Sequence, residues 1–581
     1  MRRALAGLVV ILVASCSNPP RPKPPPKPEN RCELDLAGYT SNVGKSARAR
    51  KVESAQDLLP GEAARGRLGD FRLENDKVRV VIQAPDRHMQ PNPYGGALID
   101  AALAKDGATD GFGKLALLYS FGRTQRATNV SVLQSGEGGG AAIVVADGVD
   151  ALNDAIHLQT TLGELAPGKR FIVDPDAPTP LTLSTYYVLN PGESRVRVIT
   201  ALCNEGESGL DLAVGDLVDP APGTESFQPG GCGDGAGWGS DCQVSEMSWI
   251  GYQGDAVAYG YAPCLPGSSE PSLHNERLAL DGLAITVLGA TQSRNALDAL
   301  LDWTDPNIKQ RDGTLHVPAG GTAVLSRDLV IGRDLGEVAS LVATYRNSEL
   351  RLPMGDLKGT VKAGSQPVAG ARVALEQDVG GKRIEQAVFV TDADGAWAGH
   401  FVAGDYFVSA WAPGSLSTAP IKVVVQAAGT ATQDLDLQIP RTLTVEVRDL
   451  AGTAIPAKVT VFCEAGACPE PRSALARFID VSADVWADDV AAVGFAGPSG
   501  SVDLWLQPAK YRLVVSRGPA WSTFPTTWRP DDISTGLEVD LTTADSTVTA
   551  ALAKVIDSAG WLATEASPRS ARRLKTASCR H

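Results

Sequence analysis

Six histidines, at positions 88, 157, 274, 316, 400 and 581, are all that the 581-residue chain offers for imidazole chemistry. Only His274 and His316 lie within fifty residues of each other, and none forms HxH or HExxH, the spacings that turn two imidazoles onto one metal. The nine cysteines (16, 32, 203, 232, 242, 264, 463, 468 and 579) contain no CxxC, and no histidine follows a pair at zinc-finger spacing. No GxSxG elbow, Walker loop or dinucleotide glycine pattern occurs. Thr391-Asp392-Ala393-Asp394-Gly395 groups oxygens, but no bidentate carboxylate follows at EF-hand spacing, so it reads as a hairpin turn. These residues predict no metal, no cofactor and no catalytic constellation. What remains for the cysteines is oxidation. Cys463 and Cys468, five apart around a glycine, are the first candidate pair; Cys232 and Cys242, bracketing a Gly-rich loop, are the second.

Cys16 has a different setting. Met1-Arg2-Arg3 is cationic, Ala4 to Ala14 is apolar, and Val13-Ala14-Ser15-Cys16 closes the run. A charged start, a short apolar stretch and small residues before a cleavage point mark an export signal rather than a span, which needs about 20 apolar residues. The tetrapeptide resembles a lipobox, whose thiol takes a diacylglycerol. Residues 1–16 are thus expected to be a lipoprotein signal ending on the lipidated cysteine, with the membrane as partner and the bacterial cell envelope, at the outer membrane or periplasmic face, as location. Residues 17–31 hold prolines 19, 20, 22, 24, 25, 26 and 28. They predict an extended polyproline II spacer.

The elements beyond residue 31 read as strands. Lys77–Ile82, Thr185–Leu189, Arg195–Thr200 and Leu443–Val447 are rich in β-branched or aromatic residues, several alternating with polar ones, and 60 glycines and 38 prolines punctuate the chain. Helical spacing is rare, and Asn295–Trp303 is the best candidate. The class is all-β. A formal net charge of −14 argues against nucleic acid, whose phosphates demand a basic footprint. Three regions are expected, 32–353, 354–440 and 441–556, with an aberrant tail over 557–581.

The phrases Tyr94-Gly95-Gly96-Ala97-Leu98-Ile99-Asp100 and Tyr186 to Thr200, a strand, an Asn-Pro-Gly turn and a returning strand, resemble the antiparallel supersandwich of galactose-mutarotase-like proteins. That resemblance would ask a histidine (His88 or His157) and a carboxylate (Glu205 or Asp216) to act on a sugar, with Trp238, Trp249, Tyr252, Tyr259 and Tyr261 as stacking surfaces; structural or surface roles are the preferred reading of all of them. Regions two and three share the order strand, Pro-containing turn, strand, Gly-rich hairpin, then Gly/Ala-x-Tyr at Tyr406 and Tyr511. Both resemble carboxypeptidase-regulatory-like (prealbumin-type) β-sandwiches, the third enlarged by an insertion from Cys463 to Pro498. The closing order, Tyr511 to Pro519, Thr526-Thr527-Trp528, then Val555-Ile556-Asp557-Ser558-Ala559-Gly560-Trp561, resembles the accessory region of secreted PHP-type metallohydrolases. In that family an Asp-x-His-x-His motif and a catalytic barrel follow. Here Glu565 is followed by five Lys or Arg and no acid. The expectation is a non-catalytic scaffold or binding lipoprotein, the truncated accessory part of such an enzyme, with a glycan or an envelope protein as partner; the alternative is a carbohydrate-active or carbohydrate-binding supersandwich protein.

Overall fold

The computed structural model describes residues 32–41, 46–153 (less 86, 106 and 121), 177–221, 224–229, 233–234, 244–264, 275–280, 283–288, 314–412, 417–464, 468 and 489–556. Cys16 and its apolar run, the Pro-rich stretch, Cys232, Cys242, the 295–303 segment and the basic tail lie outside them.

The chain is all-β. From Arg48–Lys51 to Thr322–Gly332 the described residues build an eighteen-stranded sheet system around one large core, to which Leu73, Tyr119, Val144, Val198 and Leu329 belong. The strand Arg195–Asn204 shows why burial here departs from simple alternation: its residues 195–202 are all buried. Val196, Val198 and Leu202 face the large core, while Ile199 and Ala201 pack with Cys32 and Tyr186 on the opposite side. Leu34, Leu36 and Tyr39 cover that side. A sheet sealed on both faces carries apolar residues at successive positions.

Two sandwiches follow, with nine described strands in the first and seven in the second, and all seven of the second have counterparts in the first. In the first, Met354–Ala363 pairs antiparallel with Ala396–Val402 and parallel with Leu435–Leu437. The facing sheet runs Lys382–Val390, Arg372–Val379, Gly404–Trp411, Ile421–Val425. In the second, Arg441–Asp449 pairs antiparallel with Ser501–Leu506 and parallel with Ser546–Leu552. Its facing sheet runs Val490–Ala496, Ala457–Cys463, Lys510–Ser516, Leu537–Asp540. Alternation fixes the faces: Leu443, Val445 and Val447 are fully buried, and the residues between them point outward.

One element departs from the strand-only expectation. Leu335–Leu350 is an α-helix, the single one among the described residues. Its local signals were present: Asp334 Oδ1 accepts the Glu337 N–H at 2.7 Å, and Glu337 accepts from the Arg333 N–H at 2.8 Å, a reciprocal cap. Leu335, Val338, Ala339 and Val342 recur at helical spacing and join one core with Trp249 and Ala258 of the large body and Phe389, Trp397 and Phe401 of the first sandwich. Asp334 Oδ2 also accepts the Val390 N–H at 3.1 Å, the Ser340 hydroxyl accepts the His400 N–H at 2.8 Å, and Arg372 meets Glu225 at 2.5 Å. The helix therefore cements the large body to the first sandwich.

Glycine makes the approach close enough. A Cβ on Gly260 would overlap Val338, and one on Gly336 would sit inside the ring of Phe389. Gly336→Val is expected to cost roughly 1–3 kcal/mol through overpacking and to uncouple the two bodies. Calorimetry should then resolve the first sandwich as a separate transition; a single unshifted endotherm would contradict the shared core.

Candidate functional site

Among the described residues, those that sugar chemistry would need are not assembled. His88 is exposed, Glu205 accepts a hydrogen bond from the Thr182 hydroxyl on the surface, and His157 lies outside the described residues. Asp216 is fully buried in the large core, where Arg327 Nε and Nη2 each donate to its carboxylate at 2.7 Å and the Tyr261 hydroxyl donates at 2.6 Å. Arg327 Nη1 donates to Thr200 Oγ1 at 2.9 Å and to the Val198 carbonyl at 3.1 Å. This is a closed structural network. Trp249, Tyr252, Tyr259 and Tyr261 are core residues rather than a stacking platform; Trp238 is not among the described residues. In Thr391–Gly395, Asp392 Oδ1 accepts the N–H groups of Asp394 and Ala396, and Gly395 takes φ +71°, the geometry of a hairpin turn. Among the described residues no group of three or more His, Cys, Asp or Glu is placed to hold a metal.

Two polar constellations that the sequence did not single out carry the strongest electrostatics. The first pins residues 58–66 onto the sheet. Asp100 accepts the N–H groups of Arg65 and Gly66, both at 2.8 Å, and Asp110 accepts those of Ala101 at 2.6 Å and Phe112 at 3.1 Å on Oδ1. Beneath them Lys114, with no exposed surface, donates to the carbonyls of Asn92 (2.6 Å), Met89 (3.1 Å) and Tyr94 (3.4 Å). Asp70 holds Arg87, and Arg65 meets Asp219 at 3.5 Å. Burial pushes the Asp100 carboxyl up to about 6. Burial, with the Asp100 charge added, pushes Asp110 up to about 8. Burial and then Arg65 and Arg87 push Lys114 down to about 7. The carboxyl groups serve backbone N–H donors, and Leu59 is thereby held over Val81, Ile99 and Ala102. The arrangement is a clamp.

A clamp of this kind has a pH signature. A free aspartate carboxyl has an ordinary value near 3.8, and in the fold Asp100 is pushed up to about 6 and Asp110 to about 8. Between about pH 4 and 8 these two carboxyls therefore hold more protons folded than unfolded, and their own contribution to stability falls as pH rises through that window, while Lys114, pushed down to about 7, opposes them at its upper end. Asp110→Asn keeps an acceptor for both N–H groups and removes the upper part of the loss. Its melting temperature should exceed that of the native chain at pH 8 and match it at pH 4; equal values at both would rule out a titrating Asp110.

The second constellation lies where the helix leaves the large body. Asp328 bridges Arg195 Nη1 (2.7 Å) and Arg197 Nε (2.9 Å), while Glu193 takes Arg195 Nε at 2.8 Å. The Arg195 guanidinium lies 4.0 Å from the Tyr345 ring centre on the helix, and Arg197 lies 5.9 Å from that of Tyr39. Burial would raise the Asp328 carboxyl, but Arg195 and Arg197 outweigh it and hold it below the usual carboxylate range.

Two disulfides lie among the described residues. Cys463 and Cys468 are bonded, with Cα atoms 5.5 Å apart. Cys32 is bonded to Cys203 across 171 residues, with Cα atoms 5.8 Å apart, a pairing that sequence spacing did not suggest. Disulfides form and persist in oxidising surroundings, and these two fit a secreted or cell-surface protein.

No protein family and no curated protein matches the chain. Solved structures that align with it include the shaft pilin SpaA of Lactobacillus rhamnosus GG, at 11% identity and a TM-score of 0.22 over 35% of this chain and 97% of the pilin. A streptococcal ancillary pilin aligns at 11% identity and a TM-score of 0.20 over 48% of this chain and 80% of its own. The Bacillus anthracis TIE protein aligns at 12% identity and a TM-score of 0.15 over 70% of this chain and 63% of its own. Likeness at these values carries no activity or partner over to this chain.

Proposed function

We propose that the chain is a non-catalytic extracytoplasmic scaffold, lipid-anchored through Cys16 in a bacterial envelope, whose β-bodies present surface to a glycan or an envelope protein. The observation that carries this reading is the Cys32–Cys203 bridge. Residue 32 follows the Pro-rich stretch directly. A pull arriving through that stretch would meet a covalent link to the Arg195–Asn204 strand instead of an end segment that could peel away. The buried polar groups support the non-catalytic half of the reading: Asp100, Asp110, Asp216 and Asp328 are engaged by backbone donors or guanidinium groups that position structure. The resemblance to the accessory region of PHP-type metallohydrolases would assign the same supporting role.

The test is expression with the native leader in a Gram-negative host. Palmitate label should enter the wild type and not Cys16→Ala, which should move to the soluble periplasm. A chain that takes no label and stays in the cytoplasm with Cys32 and Cys203 reduced would sink the anchor. Turnover of a phosphodiester with added manganese or zinc would sink the non-catalytic claim, and glycan-array binding would separate a glycan partner from a protein one.

A further inference from the structure

We propose that residues 58–66 form a pH-released strap, closed over the large body while Asp100 and Asp110 carry protons and lifted once both carboxyls ionise. The segment has the anatomy of a part that moves. None of its residues belongs to a helix or strand, and Leu59 alone among them is buried. Its roots are tied together: the Val52 N–H donates to the Asp70 carbonyl at 2.7 Å, and the Gly69 N–H donates to the Val52 carbonyl at 2.8 Å. The loop between these roots is free to rise without opening a ladder of the sheet. Local openings draw on segments of this kind, with few buried contacts of their own.

What holds the strap down is concentrated on two residues. Asp100 accepts the Arg65 and Gly66 N–H groups, and the Asp110 N–H donates to the Pro60 carbonyl at 2.7 Å. A Cβ on Gly66 would stand 2.6 Å from Asp100 Oδ2, and one on Gly61 would overlap the Asp110 carbonyl oxygen. The strap is thus part of the cover that keeps water from Asp100 and Asp110, which are 0% and 4% exposed. Neither carboxyl has an ion-pair partner among the described residues, and Asp110 Oδ2 is buried with no hydrogen-bond partner. An orphaned oxygen costs less in a neutral carboxyl than in a carboxylate.

The surrounding charges set the direction of release. Arg87 is held by Asp70, beside which Arg67 also lies, and Arg65 meets Asp219 at 3.5 Å. Tyr259, whose hydroxyl accepts the Gly111 N–H at 2.9 Å, is neutral in this range. Lys114 Nζ donates to three carbonyls and meets no carboxylate among the described residues. At both Asp100 and Asp110, burial outweighs the N–H bonds and favours the neutral form. As pH rises through neutrality Asp110 gains a negative charge, while Lys114, pushed down to about 7, loses its positive one. Lifting the strap returns the carboxyls to water, and by linkage their ionisation favours the lifted state. The lifted strap takes Leu59 off Val81, Ile99 and Ala102. The body would then carry an apolar patch that it bares only on the alkaline side of neutrality. The inference does not rest on the lipid anchor or on the partner proposed above.

The experiment is amide hydrogen exchange of the full chain at about pH 6.5 and about pH 8.5, with protection corrected for the intrinsic exchange rate. It is read at Arg65 and Gly66 and compared with the Arg195–Asn204 strand. Protection at Arg65 and Gly66 should fall about tenfold over that range and stay well below that of the strand, which marks a local opening. Asp110→Asn keeps an acceptor for the Ala101 and Phe112 N–H groups and should flatten the fall. Circular dichroism shows whether the variant is folded, and the wild-type comparison decides the question if it is not. Constant protection at Arg65 and Gly66, protection equal to that of the strand, or an undiminished fall in folded Asp110→Asn would overturn the proposal.

Discussion

Arg327→Met will lower the stability of the large body by about 3–5 kcal/mol, the usual result of stripping a buried charge of its partner. The guanidinium is 1% exposed and makes two bonds to Asp216, which is fully buried. Removing it leaves a carboxylate in the core with the Tyr261 hydroxyl as a neutral donor, and it strips Thr200 Oγ1 and the Val198 carbonyl of a partner. The double change Arg327→Met with Asp216→Leu should recover most of the loss, because two apolar side chains in place of an ion pair are often neutral. Urea unfolding, followed by hydrogen exchange in the Arg195–Asn204 strand, distinguishes the two outcomes. Equal losses in the single and double variants would mean that packing volume, rather than the stranded charge, sets the cost.

Opening the Cys32–Cys203 bridge with Cys32→Ser will cost about 5 kcal/mol on the chain-entropy model, since the closed loop spans 171 residues. The same model gives about 2 kcal/mol for Cys463→Ser, whose loop spans five. Local contacts reinforce the contrast: the Cys32 carbonyl accepts the Tyr186 hydroxyl at 2.9 Å, and Cys32 packs with Ile199 and Ala201. Freed, residues 32–41 should exchange amide hydrogen rapidly while the two sandwiches stay protected. If the two cysteine variants lose the same amount, loop length is not what the long bridge contributes.

What could be read from the sequence was what neighbouring residues decide among themselves. The Tyr406 and Tyr511 phrases mark equivalent strands because each hydroxyl donates to a carbonyl four residues earlier, Val402 and Gln507, both at 2.9 Å. The Thr391–Gly395 turn was legible for the same reason. Arg195 and Arg197 alternate with Val196 and Val198, the signature of a half-solvated strand, yet both are buried. In the structure the helix and the 32–41 segment stand over that face, and neither cover is written near those residues. Asp100 sits between Ile99 and Ala101, and nothing nearby announces that Arg65 and Gly66 come to meet it. The Leu335–Leu350 helix is a different case: its cap at Asp334 and the apolar spacing of Leu335, Val338, Ala339 and Val342 are local and written in the sequence. The long disulfide depended on topology alone.

The parallel pairing of first and last strands in each sandwich sets how the molecule would answer force. In the second sandwich, residues Leu443 to Asp449 run alongside Ser546 to Leu552 in one register. Tension between the two chain ends would pull these neighbours lengthwise in opposite directions, so their hydrogen bonds share the strain together instead of opening one at a time. The first sandwich repeats the device, with Asp356 to Lys358 beside Thr430 to Thr432 and Val361 to Ala363 beside Leu435 to Leu437. Each module is wired in shear, the loading direction in which a β-ladder resists extension best.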